Sequence, residues 1–108
     1  MSINSVVFSG NVAADPRYRE AETYNILSFP IAVNNRVRHS GGSYSDEVFY
    51  MQCFISGKRA KSLSEIIKHG MPVTVSGILK PSNYQKDGKT VYGYQVKIEE
   101  IQLPPKHD

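Results

Sequence analysis

Tryptophan is absent, so any flat side-chain surface this 108-residue chain presents must come from its seven tyrosines and four phenylalanines. There is one cysteine, Cys53, which excludes an intramolecular disulfide and fits a reducing compartment. No segment approaches the run of about 18 apolar residues that a membrane helix needs. The first residues, Met1 to Ser5, lack a charged start followed by an apolar stretch of signal-peptide length. Together these absences predict a soluble, cytoplasmic chain with no membrane partner. Catalytic patterns are missing as well: there is no Ser-His-Asp signature, no set of paired metal ligands and no phosphate-cradling glycine loop. His39 reads as a loop residue, because no second metal ligand lies at a credible spacing. Cys53 falls on the apolar face of a predicted strand, away from His39, His69 and His107 in sequence, and buried cysteine is usually inert. The expectation is a protein that is not an enzyme and holds neither cofactor nor metal.

The composition that remains, 40% apolar over 108 residues, is enough for one real core and too little for two. Its valine, isoleucine and tyrosine content suits pleated surfaces, so the class is mostly β. Thirteen Lys and Arg against ten Asp and Glu give a formal charge of +3 and a pI near 9.0, which weakly favours an anionic partner. Placement is more telling than the total. Arg36, Arg38, Lys58, Arg59, Lys61, Lys80, Lys86 and Lys89 fall in or beside predicted loops, whereas Glu99, Glu100 and Asp108 lie near the C-terminus.

Residues 47–56 organise the rest. Phe49, Met51, Cys53 and Ile55 make one apolar face, while Val48, Tyr50, Gln52, Phe54 and Ser56 make a second that mixes aromatic and polar groups. Such a second face can serve as a platform for something flat. Earlier in the chain, Val6 and Phe8 alternate with Val7 and Ser9 in a first strand over 3–13, where Gly10 suggests a bend or bulge, and Asp15-Pro16 starts a turn. Leu27, Phe29, Ile31 and Val33 alternate within 24–35, and Pro30 predicts an edge or a bulge there. Residues 36–46 read as a long flexible connection, a Gly-rich finger carrying Arg36, Arg38, His39 and Tyr44.

After the central strand, 58–69 is the only helix pattern, with Ala60, Leu63, Ile66 and Ile67 on one face, Gly70 as its C-terminal cap and Pro72 forbidding continuation. Alternation resumes over 72–80, with Val73, Val75 and Leu79 opposite Thr74, Ser76 and Ile78, and Gly77 at a bend. Asp87-Gly88 predicts a hairpin turn. A last strand runs from Val91 to about Gln102, in which Tyr92 and Tyr94 are read as core or interface residues. Residues 106–108 should fray. Five strands with one α-helix between strands 3 and 4, and two long β-hairpin loops, is the element order of the OB-fold, a small barrel that binds oligonucleotides or oligosaccharides. The predicted division is an OB-fold domain over 1–104 and a short end over 105–108.

The order of several short stretches resembles the bacterial single-stranded DNA-binding proteins. They are Val7-Phe8-Ser9-Gly10-Asn11 with Ala14-Asp15-Pro16, then Phe29-Pro30-Ile31-Ala32, Ser56-Gly57-Lys58 with Ala60, Lys68-His69-Gly70-Met71-Pro72-Val73, and Val75-Ser76-Gly77-Ile78-Leu79. The resemblance covers nearly the whole chain and implies sequence-tolerant binding of single-stranded DNA in replication, recombination or repair. Bases would stack on aromatic side chains while cations follow the phosphates. Tyr50 and Tyr84 stand where the family commonly has stacking tryptophans, and Phe54, on the same outer face as Tyr50, is a third candidate. Arg36, Arg38, Lys58, Lys80, Lys86 and Lys89 are the expected phosphate contacts. Tyr44 fits either a platform or a solvated surface.

Departures from the family pattern are Val37 at a usual tryptophan, Ser56 at a usual phenylalanine, Gln52 at a frequent arginine and Met51 at a histidine common near the subunit interface. The resemblance also implies a homo-oligomer, a tetramer favoured over a dimer, formed partly through the first strand. Family members usually continue into a Gly- and Pro-rich tail with an acidic apolar tip that recruits replication and repair proteins; this sequence stops at Lys106-His107-Asp108, by removal of a tail or as a tail-less relative. Two other readings stand beside DNA protection: a tail-less primosomal accessory protein that touches DNA and a helicase-loading partner, and an OB-fold protein-interaction module without DNA binding.

Overall fold

The computed structural model describes residues 2–105. Alternation becomes pleat most plainly in its two longest strands, β3 (Asn25–Arg38) and β4 (Tyr44–Ser56), which pair antiparallel from Ile26 opposite Ser56 to Arg38 opposite Tyr44. Leu27, Phe29, Ile31, Val33, Cys53 and Ile55 are buried on the inner side, with Phe49 and Met51 packed against them. A fully buried side chain of this size contributes roughly 1.5–3 kcal/mol. A slip of one residue would turn Ser28, Pro30 and Asn34 inward instead, so the register is fixed by burial.

The other elements are β1 (Val6–Val12), β2 (Arg17–Glu20), α1 (Lys58–Ser64), β5 (Pro72–Pro81), β6 (Tyr84–Lys86), β7 (Lys89–Val91) and β8 (Tyr94–Gln102). The main sheet runs β1-β5-β8-β4-β3-β2, and β1 closes onto β3 through Asn11 opposite Ala32 and Val12 opposite Ile31. The β4–β8 junction is parallel, from Gln52 opposite Gln95 to Phe54 opposite Lys97. Strands β1, β3, β4, β5 and β8 therefore form a closed barrel with α1 between the third and fourth of them, which is the OB-fold expected from the element order. Two glycines permit that closure. A Cβ at Gly10 would lie 2.2 Å from the Ala32 carbonyl oxygen, and one at Gly77 would lie 1.9 Å from that of Lys97. The pairing of β5 with β8 shifts between Ser76 and Gly77, the bulge that a tightly coiled small barrel uses to turn.

Several local expectations are corrected. The 36–46 stretch is not a flexible connection: β3 continues to Arg38 and β4 begins at Tyr44, leaving a tight turn in which the His39 N–H donates to the Ser43 carbonyl at 2.8 Å. The alternation simply turns polar there, because this arm is wet on both faces and carries no hydrophobic signal. Strand β2 was masked in the sequence by its charged residues; it pairs with β3 from Arg17 opposite Ser28 to Glu20 opposite Asn25. Helix α1 ends at Ser64, and Ile66 is 44% exposed while Ala60, Leu63 and Ile67 are buried. Gly70 has the expected left-handed φ of 91°, yet it does not cap the helix. Its N–H donates to the Val12 carbonyl at 2.8 Å, steering the chain into β5.

Pro30 lies in a strand with neighbours on both sides, so β3 is not an edge along its length. The Pro30 carbonyl accepts the Ala13 N–H at 2.8 Å, and a strand residue directs its N and its carbonyl to the same side. The missing N–H thus falls in the gap between Ser28, the last partner of β2, and Ile31, a partner of β1, where no ladder needs it. The predicted last strand breaks at Tyr92-Gly93. Tyr92 and Tyr94 are 76% and 63% exposed, not core, because they lie where the β5–β8 ladder ends, at Pro81 opposite Tyr94, and the second hairpin begins. The expected fraying of 106–108 lies outside the described residues.

Beyond Val33, β3 and β4 pair only with each other, and β6 and β7 form a separate two-stranded sheet. These two arms account for a radius of gyration of 16.0 Å, against about 13 Å for a compact chain of this length. No helix among the described residues is long and apolar enough to cross a membrane.

Candidate nucleic-acid interface

Residues directly opposite one another in a ladder share a face, so the register writes out the outer surface row by row. Across β3 and β4 the rows are Ser28 with Phe54, Pro30 with Gln52, Ala32 with Tyr50, Asn34 with Val48, Arg36 with Asp46 and Arg38 with Tyr44. The aromatic members all come from β4, and they face small or flat partners on β3. Tyr50 accordingly stands 69% exposed over Ala32. Phe54 is half-buried.

The parallel junction extends two of these rows. Gln52 continues to Gln95 and on to Lys80 of β5, and Phe54 continues to Lys97 and on to Ile78. The result is a band that runs from Lys80 and Lys97 through Phe54, Gln52 and Tyr50 to Arg36, Arg38 and Tyr44 on the first arm. Asp46 is the only carboxylate in the rows just given. Of the sites expected from the sequence, this band unites Tyr50, Phe54, Lys80, Arg36 and Arg38. Lys58 stands beyond its end, as the first residue of α1.

The second arm has a composition of its own. Asp87 and Gly88 have φ of 52° and 76°, both left-handed, as a two-residue turn matched to strand twist requires. Tyr84 opposes Val91 and Lys86 opposes Lys89 on one face; Gln85 and Thr90 occupy the other, joined by a 2.8 Å hydrogen bond from the Gln85 amide to the Thr90 hydroxyl. Tyr84 is 55% exposed. Two lysines directly opposite one another repel, an arrangement that an anion lying between them would relieve.

Three residues of this surface escaped sequence reasoning. Gln95 and Lys97 join it only through the parallel β4–β8 register, which no alternation pattern reveals. For Tyr44 the sequence allows either a platform or a solvated surface, and its ring centroid lies 4.4 Å from the Arg36 guanidinium carbon; an aromatic and an arginine on opposite sides of a polar loop give no clue that they will meet. Val37, at the position of a usual family tryptophan, pairs with Ser45 on the face of the arm away from Arg36. Cys53 is fully buried, and burial pushes its thiol up to about 12, which removes it as a nucleophile at ordinary pH.

Known proteins share this outline. The crystal structure of the small single-stranded DNA-binding protein from Streptomyces coelicolor superposes with a TM-score of 0.79 at 22% identity, covering 96% of each chain. A deletion mutant of the single-stranded DNA binding protein from Thermus aquaticus superposes with a TM-score of 0.83 at 23% identity, over 95% of this chain and 51% of that one. At such identities the likeness is one of fold. In sequence, the chain is 34% identical over 104 residues to Single-stranded DNA-binding protein 1 of Clostridium acetobutylicum, covering 94% of this chain and 93% of that protein. It is 39% identical over 84 residues to the single-stranded DNA-binding protein of Borreliella burgdorferi, covering 77% of this chain and 56% of the relative. Residues 3–104 match the Single-strand binding protein family, and with the barrel, the two arms and these relatives the chain belongs to that family.

Proposed function

We propose that the protein binds single-stranded DNA without strong sequence preference, as a non-enzymatic component of replication, recombination or repair. Tyr50, Tyr84 and Phe54 stack bases, and Arg36, Arg38, Lys58, Lys80, Lys86 and Lys89 supply positive charge along the strand, with residues 1–104 as the binding domain. The observation that carries this reading is the outer face of β4: a ring 69% exposed at Tyr50, flanked in register by Phe54 and Lys97 on one side and by the cationic arm on the other. A stacked base is worth roughly 1–3 kcal/mol and any base serves. Backbone charges make the binding fall with salt.

The protein acts as a homo-oligomer, a tetramer before a dimer, since linking several such faces along one strand multiplies affinity. Ile3 and Val7, on or before β1, are 87% and 65% exposed in the single chain, an apolar surface suited to a second copy. Fluorescence anisotropy with labelled oligo-dT tests the core of the proposal. The Tyr50→Ala, Tyr84→Ala double variant should weaken binding by about 2–4 kcal/mol, and wild-type affinity should fall steeply between low and moderate salt. Retention of the strand by the double variant at wild-type affinity would overturn the stacking roles.

A further inference from the structure

On the first arm, the guanidinium of Arg36 is not aimed at open solvent. Its central carbon sits over the Tyr44 ring, 4.4 Å from the centroid, well within the reach of a cation–π contact. The two residues are diagonal neighbours: Arg36 opposes Asp46, and Tyr44 opposes Arg38. Tyr44 is 52% exposed, so about half of the residue stays open to solvent beside the arginine. The Asp46 carboxylate, directly across from Arg36, makes no ion pair with it among the described residues. A phosphate placed here would meet that carboxylate as well as the guanidinium, whereas an uncharged base would not.

We infer that Arg36 and Tyr44 form one composite stacking platform, in which the guanidinium braces the ring and an unpaired nucleobase lies against the pair, so that Arg36 serves base stacking and not phosphate neutralisation. The inference rests on the single-strand-binding reading above and replaces its role for Arg36 alone, leaving the other cations as phosphate contacts. Tyr44 and Tyr50 share the outer face of β4 six residues apart, about 20 Å along a strand. The platform is thus a separate station, several nucleotides from Tyr50, reached only by a strand that extends from the barrel onto the arm.

The test is anisotropy with labelled oligo-dT of two lengths, one of about four nucleotides that occupies the barrel face and one of about twelve that reaches the arm, each titrated at several salt concentrations. On the longer strand Tyr44→Ala should lose about five- to tenfold in affinity, and Tyr44→Phe should stay within about twofold, a span set by ordinary stacking energies. Arg36→Gln and Arg36→Lys should lose similar amounts, with little further loss when Arg36→Gln is combined with Tyr44→Ala and no change in the salt slope. The short strand should be indifferent to all four single variants.

If instead Arg36→Gln lowers the log–log salt slope by about 0.7 while Arg36→Lys is silent and the effects of Arg36 and Tyr44 add, Arg36 is a phosphate contact and the platform is refuted. Full affinity in Tyr44→Ala refutes it equally. Failure of the wild-type protein to bind either strand overturns the parent reading and this one together, which separates the two failures.

Discussion

Cys53 and the two closure glycines show how little freedom single positions have in a barrel this small. The Cys53 thiol is fully enclosed and stays protonated up to about pH 12, whereas the ordinary value is 9.0. The unfolded chain therefore releases its proton first. The stability the thiol contributes is fully present below about pH 9 and is lost as pH climbs towards 12, at up to about 1.4 kcal/mol per unit. Denaturation of wild type against Cys53→Ala should find wild type more stable at pH 7 by roughly 1–2 kcal/mol for the small cavity, with the order reversed by pH 11. The thiol should also resist a disulfide reagent at pH 8 until denaturant is added.

Gly77→Ala places a methyl group 1.9 Å from the Lys97 carbonyl oxygen, with backbone on both sides of the clash. Overpacking against main chain costs about 2–4 kcal/mol, to be read from urea midpoints. Gly93→Ala is the control, because its nearest atom would be the Ser82 carbonyl oxygen at 3.3 Å and the loss should stay below about 1 kcal/mol.

Among the elements, the hairpins divide stability from function. The second arm is held by its turn and by the Gln85–Thr90 hydrogen bond on one face, while the opposite face sets Lys86 against Lys89. Neutralising both lysines to glutamine should leave the arm folded or slightly more stable, yet lower the salt slope for oligo-dT by roughly 1.4 if each lysine meets one phosphate. An unchanged slope would remove both from the phosphate path.

This division also explains what was legible in the sequence. Leu27 to Val33 and Phe49 to Ile55 announced themselves by alternation because one of their faces is dry, and Asp87-Gly88 by the turn chemistry it demands. Arg17 to Glu20 and the outer part of the first arm are wet on both faces, so nothing in their pattern distinguishes paired strand from loop. Tyr92 and Tyr94 begin the alternation that Val96 and Ile98 continue, but they precede the covered part of β8, Tyr94 pairing with Pro81 at the very end of the β5–β8 ladder, and pattern alone cannot see where a strand starts being covered. The Phe54–Lys97 row was invisible for another reason: parallel pairing between distant strands leaves no local trace.

At the scale of the whole molecule, the exposed apolar side chains at Ile3 and Val7 and the modest number of stacking rings in one barrel argue for assembly. Multi-angle light scattering should give a mass that is a whole multiple, above one, of 12.1 kDa, and the same multiple with oligo-dT bound once the mass of the DNA is subtracted. A 12.1 kDa particle that binds the strand with full affinity would remove the oligomer from the account.

The two short ladders that close the barrel carry a further consequence. β2, β3 and β4 form one leaf and β1, β5 and β8 another, each stitched by long antiparallel registers. Among the described residues, the ladders between the leaves are short, Asn11–Val12 with β3, extended by the Ala13 N–H to the Pro30 carbonyl, and Gln52–Phe54 with β8. Such a body opens like a book along its parallel spine, so amides at that spine should exchange with deuterium ahead of those inside either leaf. A guest strand lying across Phe54 and Lys97 would bridge both covers, slow that exchange and raise the melting temperature, making the cargo a clasp for its own carrier.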